Sequence, residues 1–223
     1  MNKSILNVVG VVAVTAVFIG CSENPDDENG GGGVTTPTKT TFTDSRDGTI
    51  YQKVKIVNQV WMAENLNYDI PDDTTDVCYE NSAGNCDKYG RLYSLDAARV
   101  VCPAGWRLPS SDEWETLTDY ARGSGSSDSI CIKLKSKSGW NECNGTDKYG
   151  FSALPGGYGS SVYSGGYNFY SGGVESYWWT TGIVVPPTPW PLHHPCHRYV
   201  FNYQSVDANN NNGSVFSIRC LQN

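Results

Sequence analysis

The segment Pro191-Leu-His-His-Pro-Cys-His197 holds all three histidines of the chain and one of its eight cysteines, and it is the stretch whose residue types best suit a transition metal. Imidazoles from His193, His194 and His197 and a thiolate from Cys196 are donors that copper and zinc accept. Pro191 and Pro195 stiffen the backbone between them, and the spacing follows no standard site. The expectation is therefore an exposed loop or a cysteine held in a disulfide, with no metal and no cofactor. The remaining titratable groups do not compose a catalytic set either. No G-x-S-x-G elbow occurs, and Asp112, Glu113, Glu115 and Asp119 read as solvated helix charges that complement the helix dipole. Asp69 to Asp76 (DIPDDTTD) is rich in carboxylates but lacks the alternating ligands and sixth-position Gly of an EF-hand, so it reads as a solvated loop. No catalytic residue is expected.

Binding chemistry is better represented. Tyr158, Tyr163, Tyr167, Phe169, Tyr170 and Trp190 stand among Gly, Ser and Pro, where rings can lie flat and half exposed. Such rings, flanked by Asn or Ser, stack on sugars or grip a protein partner. The competing reading is that Trp178, Trp179 and about half of those tyrosines form the core of a domain poor in Leu and Ile.

These residues need elements to position them. Cys102 to Trp114 (CPAGWRLPSSDEW) is the clearest local signal. Ser110 followed by Glu113 is a capping box, because hydroxyl and carboxylate together satisfy two unpaired backbone donors, and it predicts a helix over Ser110 to Arg122. Pro109 keeps Leu108 out of the helical region, so Trp106 and Leu108 arrive extended with their apolar surface inward. A first helix is expected over Ser94 to Val101. Thr49 to Val60 alternates apolar and polar residues and reads as a hairpin turning at Asn58-Gln59, with Trp61 and Met62 continuing its second strand. Cys131 to Leu134 is a short strand or helical turn. Ser176 to Thr181 (SYWWTT), His197 to Tyr203 and Ser214 to Leu221 read as strands.

Composition agrees with a loop-rich domain. Of 223 residues, 39% are hydrophobic, 12% aromatic and only 17% charged, with 24 Gly against 2 Met. No repeat of 20 to 50 residues is visible, so a solenoid is not expected. A net charge of -7 would repel nucleic acid phosphates. Lys3, the apolar run Ile5 to Ile19 and Gly20-Cys21 form a secretory signal over residues 1–20. Cys21 resembles the lipidated cysteine of bacterial lipoproteins, with Phe18 where Leu is usual. Acyl chains there, at about 0.8 kcal/mol per buried methylene, would anchor the chain to a membrane, with the outer membrane as the expected site. Residues 21–40 contain almost no apolar side chain and read as a disordered tether, leaving 41–223 as one domain.

GRLYSLDAARVVCPAGWRLPSSDEWETLTDY, GFSALPGGYG, SYWWTT and FSIRCLQN, in that order, resemble the Fibrobacter succinogenes major paralogous domain, an extracellular family. RLPSSDEWE is more remotely similar to the sulfatase-modifying enzymes that generate formylglycine. That resemblance implies an α+β, C-type lectin-like domain with two helices, short antiparallel strands and long loops, and a pairing of N- and C-terminal strands that sets Phe216 and Ile218 beside the opening hairpin. Spacing alone leaves the pairing of the seven cysteines after Cys21 open. The resemblance implies a long bridge from Cys102 to Cys220 and local bridges Cys78 to Cys86 and Cys131 to Cys143. The sulfatase-modifying enzymes bind copper through two cysteines five positions apart. Cys196 falls at the first position and Phe201 at the second, so that chemistry is not expected here. Calcium-and-sugar motifs of lectin-type domains are absent as well. The expectation is a surface-anchored module that binds glycan or protein.

Overall fold

Trp178 and Trp179 are neighbours in sequence, and both are buried. Successive strand residues point to opposite sides, so the strand that carries them must be covered on both faces. The computed structural model describes residues 37–71, 76–125, 127–181, 202–205 and 213–223. Cys21, the signal segment, nearly all of the tether, Trp190, His193, His194, Cys196, His197 and Phe201 lie outside the described residues.

In chain order the strands are β1 (Lys39–Thr43), β2 (Ile50–Ile56), β3 (Gln59–Met62), β4 (Asp76–Val77), β5 (Leu92–Tyr93), β6 (Trp106–Arg107), β7 (Tyr158–Ser161), β8 (Tyr167–Tyr170), β9 (Tyr177–Thr180), β10 (Asn202–Ser205), β11 (Ser214–Ser217) and β12 (Leu221–Gln222). The helices are α1 (Ala83–Tyr89), α2 (Leu95–Ala98), α3 (Ser111–Arg122) and α4 (Ser127–Leu134). The protein is α+β. Among the described residues it has four helices where the sequence predicted two, because the Cys78 to Cys86 loop winds into α1 and the Cys131 region is the end of α4.

One sheet runs β1-β2-β3-β12-β6, and all its pairings are antiparallel. The hairpin turns at Val57-Asn58, one residue earlier than expected, with Val57 in the left-handed region. The folded part begins inside the expected tether, since β1 starts at Lys39, whose Nζ meets Ser152 Oγ at 2.7 Å and Asp147 at 3.3 Å. The C-terminal strand closes on the opening hairpin through Leu221 opposite Trp61. Ile218 receives a backbone hydrogen bond from Leu66 at 2.8 Å, just beyond the hairpin. Phe216 differs from expectation: it pairs with Tyr93 on β5, because the chain changes sheets between β11 and β12.

The second sheet carries β10-β9-β11-β5-β4, with β7 also on β11 and β8 on β7. On one side of β9, Trp178 joins Trp61, Trp114, Leu117 and Phe151; on the other, Trp179 joins Met62, Tyr93, Phe216 and Ile218. Trp114, the anchor of α3, lies 4.7 Å from Trp61, 5.5 Å from Trp178 and 5.9 Å from Phe151, ring to ring. Truncating such a ring costs about 3–5 kcal/mol.

Local capping follows the sequence closely. Ser110 and Glu113 form both halves of the capping box, and Arg107 adds a two-pronged contact to the Glu113 carboxylate at 2.5 and 2.7 Å. α2 spans only four residues, shorter than the predicted Ser94 to Val101, with Ser94 as its cap.

Candidate functional site

The aromatic stretch becomes a two-stranded ribbon. β7 and β8 pair in the register Tyr158 to Tyr170, Gly159 to Phe169, Ser160 to Asn168 and Ser161 to Tyr167. Val162 to Gly166 make the turn, closed by a hydrogen bond from Val162 N to Gly166 O at 3.1 Å. Gly165 and Gly166 both have positive φ, which a side chain would strain.

Strand alternation sorts the rings. Tyr158 and Tyr170 share one face, stacked at 5.3 Å. Tyr158 continues inward to Tyr177 at 4.7 Å and Phe216 at 5.9 Å, and Phe216 reaches Trp179 at 4.7 Å. That face is the outer end of the core, and Tyr170 is its 44% exposed rim. Tyr167 and Phe169 occupy the opposite face, 6.5 Å apart. Gly159 leaves room for the Phe169 ring. Tyr79, from far earlier in the chain, lies 5.3 Å beyond Phe169 and completes a row of three half-buried rings. Tyr163 stands at the tip, fully exposed at 111%.

Tyr79 is held from several sides. Its neighbour Cys78 is bridged to Cys86. Asn85 Nδ2 donates to Tyr79 O at 2.9 Å, and Gly172 N donates to the Tyr79 hydroxyl at 3.0 Å. A Cβ at Gly172 would overlap that ring. Glu80 and Asn81, next in sequence, are exposed, and each sits in the left-handed region at φ 54°. Non-Gly residues pay strain there, which concentrates at functional sites.

Electrostatically the ribbon is nearly neutral. Between Phe151 and Thr181 the only charged side chain is Glu175, and its carboxylate accepts from the Tyr177 hydroxyl at 2.7 Å. Burial raises the phenol pKa of Tyr79 and of Tyr167, so both hydroxyls stay protonated at neutral pH. Among the described residues the site offers apolar ring faces, a carboxylate and an amide.

The sequence-predicted contact residues thus divide. Tyr158 and Tyr170 come together but face the core side, Tyr167 turns the other way with Phe169, Tyr163 stands alone at the turn, and Trp190 lies outside the described residues. Tyr79 was not anticipated. Its position inside a nine-residue Cys-to-Cys loop was the available signal, since such a loop displays whatever ring it encloses. The weak metal candidates His193, His194, Cys196 and His197 also fall outside the described residues.

Two cysteine bridges are as the resemblance implied: Cys78 to Cys86, and Cys102 to Cys220 with Cα atoms 6.0 Å apart. The Cys131 to Cys143 bridge is not made. Cys131 lies on the inward side of α4, beside Ile130 and Leu134 in the tryptophan-lined core, and remains a buried thiol. Cys143 is disulfide-bonded elsewhere.

No helix among the described residues is long and apolar enough to cross a membrane. The family model of the Fibrobacter succinogenes major domain matches residues 54–222, from the middle of β2 to the last residue of β12. No match appears among curated proteins or among solved structures. The matched span takes in all four helices and every strand but β1 and the first part of β2, and the chain belongs to the family of the Fibrobacter succinogenes major domain.

Proposed function

We propose that this protein is a lipoprotein binding module of the cell envelope, anchored through Cys21, extended on the polar stretch that follows, and contacting a glycan or a protein partner with the β7–β8 ribbon. Within this reading the α+β domain is a C-type lectin-like variant, closed at its base by β12 against β3 and by the Cys102–Cys220 bridge. The anchor belongs to the outer membrane, facing outward. The observation that carries the reading is the row of partly exposed rings on a ribbon with no charged side chain, backed through Tyr158 by the cluster around Trp179. Rings in that state bury apolar area on contact with a ligand without displacing bound counter-ions. Such a role needs no cofactor and no catalytic residue.

The test is retention of the full-length lipoprotein, inserted in liposomes, on insoluble and immobilised polysaccharides and on purified envelope proteins. Replacing Tyr163, Tyr167, Phe169 and Tyr170 together by Ala should abolish retention while leaving the thermal melt cooperative. Unchanged retention in that variant would leave the ribbon a structural feature of an envelope protein.

A further inference from the structure

We propose that the ligand is one extended chain of a neutral polysaccharide, laid along Tyr79, Phe169 and Tyr167 on the face of the ribbon opposite Tyr158 and Tyr170. This rests on the reading of the ribbon as the contact element, and it specifies both the face and the chemistry.

The face follows from register and packing. Tyr158 is committed inward through Tyr177 and Phe216, and Tyr170 stacks on it as the exposed rim of the core. The Tyr79, Phe169 and Tyr167 rings pair with one another, at 5.3 and 6.5 Å. Tyr79 is fixed by a disulfide-closed turn and by its bond from Gly172, so the platform is set before a ligand arrives and loses little rotamer freedom on binding.

Neutrality follows from charge. The ribbon supplies no cation, the exposed charge beside Tyr79 is Glu80, and the whole chain is at -7. A uronic acid polymer, a sulfated glycan or a nucleic acid would meet like charge with no compensating Lys or Arg over these rings among the described residues.

A sugar fits the rim better than a peptide does. Extended proline-rich peptides dock on aromatic rows too, but they present carbonyl acceptors and need donors from the site. Here the Tyr79 hydroxyl accepts from Gly172 N and keeps its own proton to donate, but the adjacent exposed Glu80 carboxylate only accepts, and proline residues bring it no N–H. Hydroxyl groups of a sugar donate to a carboxylate and both donate to and accept from the Asn81 amide, while the C–H faces of the sugar rings lie on the aromatic faces.

The tilt of the rings selects a single chain over a flat crystalline surface. Tyr79 and Phe169 are inclined by 58° and Phe169 and Tyr167 by 45°. A planar surface could not lie flat on Phe169 and on either of its neighbours at once, whereas a free chain can turn about each glycosidic bond and present a face to each ring.

Affinity electrophoresis of the full-length lipoprotein in non-ionic detergent tests this, with hydroxyethylcellulose, arabinoxylan, galactomannan or polygalacturonate cast into native gels, alongside pull-down on microcrystalline cellulose. Retardation is expected in at least one neutral gel. Phe169→Ala and Tyr167→Ala should each weaken it about tenfold, Glu80→Gln several-fold, and Tyr170→Ala not at all, with unchanged thermal melts certifying the fold. Glu80→Gln touches no core residue and keeps the test valid should a ring variant unfold. Retardation by polygalacturonate alone, capture by crystalline cellulose alone, or no retardation in any neutral gel would overturn the proposal. Loss in Tyr170→Ala with retention in Tyr167→Ala would overturn the face assignment and leave the ribbon as the binding element.

Discussion

Arg219 and Asn65, 154 residues apart, meet in the interior: the guanidinium donates from Nε at 3.1 Å and from Nη2 at 2.8 Å to the Asn65 Oδ1 atom. Arg219 is fully buried, also donates to the Phe151 and Ser152 carbonyls, and lies 4.4 Å from the Phe151 ring centre. The same Oδ1 accepts from Trp178 Nε1 at 3.0 Å, while Asn65 Nδ2 donates to Tyr89 O at 2.8 Å. One amide therefore ties the opening hairpin, α1, β9 and the C-terminal strand together. Burial pushes the Arg219 pKa down to about 9, against the attraction of Asp147 and Glu64, which raises it.

Removing either partner leaves buried polar atoms without mates. Arg219→Met and Asn65→Leu should each destabilise the protein by about 3–5 kcal/mol, read as a shift in the guanidinium midpoint. Because the two act as one network, the double variant should cost clearly less than the sum of the singles. Strict additivity would show that the contact contributes little.

A second prediction concerns acid. Hydrogen bonding to Arg107 holds the Glu113 carboxyl below its ordinary value of 4.5, overcoming burial, with the Ser110 backbone assisting. A folded pKa depressed below the unfolded one contributes stability at pH above 4.5, lost as pH falls through the folded pKa. Glu113→Gln should therefore lower the melting temperature at pH 7 and show a shallower decline than the native protein between about pH 5 and pH 3. Parallel profiles for the two proteins would mean that the pair is not coupled to folding.

The two disulfides should separate by role. Cys102–Cys220 closes a span of 118 residues and joins the Trp106 entry to the last strand. Replacing both by Ala should cost about 4–5 kcal/mol in the loop-entropy account. Cys78–Cys86 spans only 8 residues, and its loss should cost about 2–3 kcal/mol yet selectively weaken ligand retention, because it fixes Tyr79. Equal loss of retention in both variants at matched stability would contradict that division.

Gly172→Ala offers an orthogonal check on the same ring. The added methyl would occupy the place of the Tyr79 ring, so retention should fall while far-UV circular dichroism stays unchanged. Full retention would show that the placement of Tyr79 does not govern the site.

Features encoded locally were legible in the sequence. The capping box at Ser110 and Glu113, the extended entry at Trp106 and the SYWWTT strand each depend on a few adjacent residues. The Cys102–Cys220 bridge came from family resemblance, since spacing left it open. The Asn65–Arg219 hub was present only as letters within WMAENL and FSIRC; the partner of a buried polar group is set by tertiary approach, not by local pattern. The same limit applies to Tyr167 and Tyr170. Strand alternation puts them on opposite faces once Tyr167–Tyr170 is known to be a strand, but only packing against Tyr177 and Phe216 shows which face is core, and only the approach of a loop some 90 residues upstream adds Tyr79 to the other. The Cys131–Cys143 bridge implied by the resemblance is not made: Cys131 lies among the core residues of α4.

The most direct measurement of the central claim is a carbon-13 aromatic NMR titration of the labelled protein with a neutral oligosaccharide cut from whichever polymer retards it. The ring signals of Tyr79, Tyr167 and Phe169 should move together along one binding curve, while those of Tyr158 and Tyr177 stay in place. Movement confined to Tyr158 and Tyr170, or none at any of these rings, would contradict it.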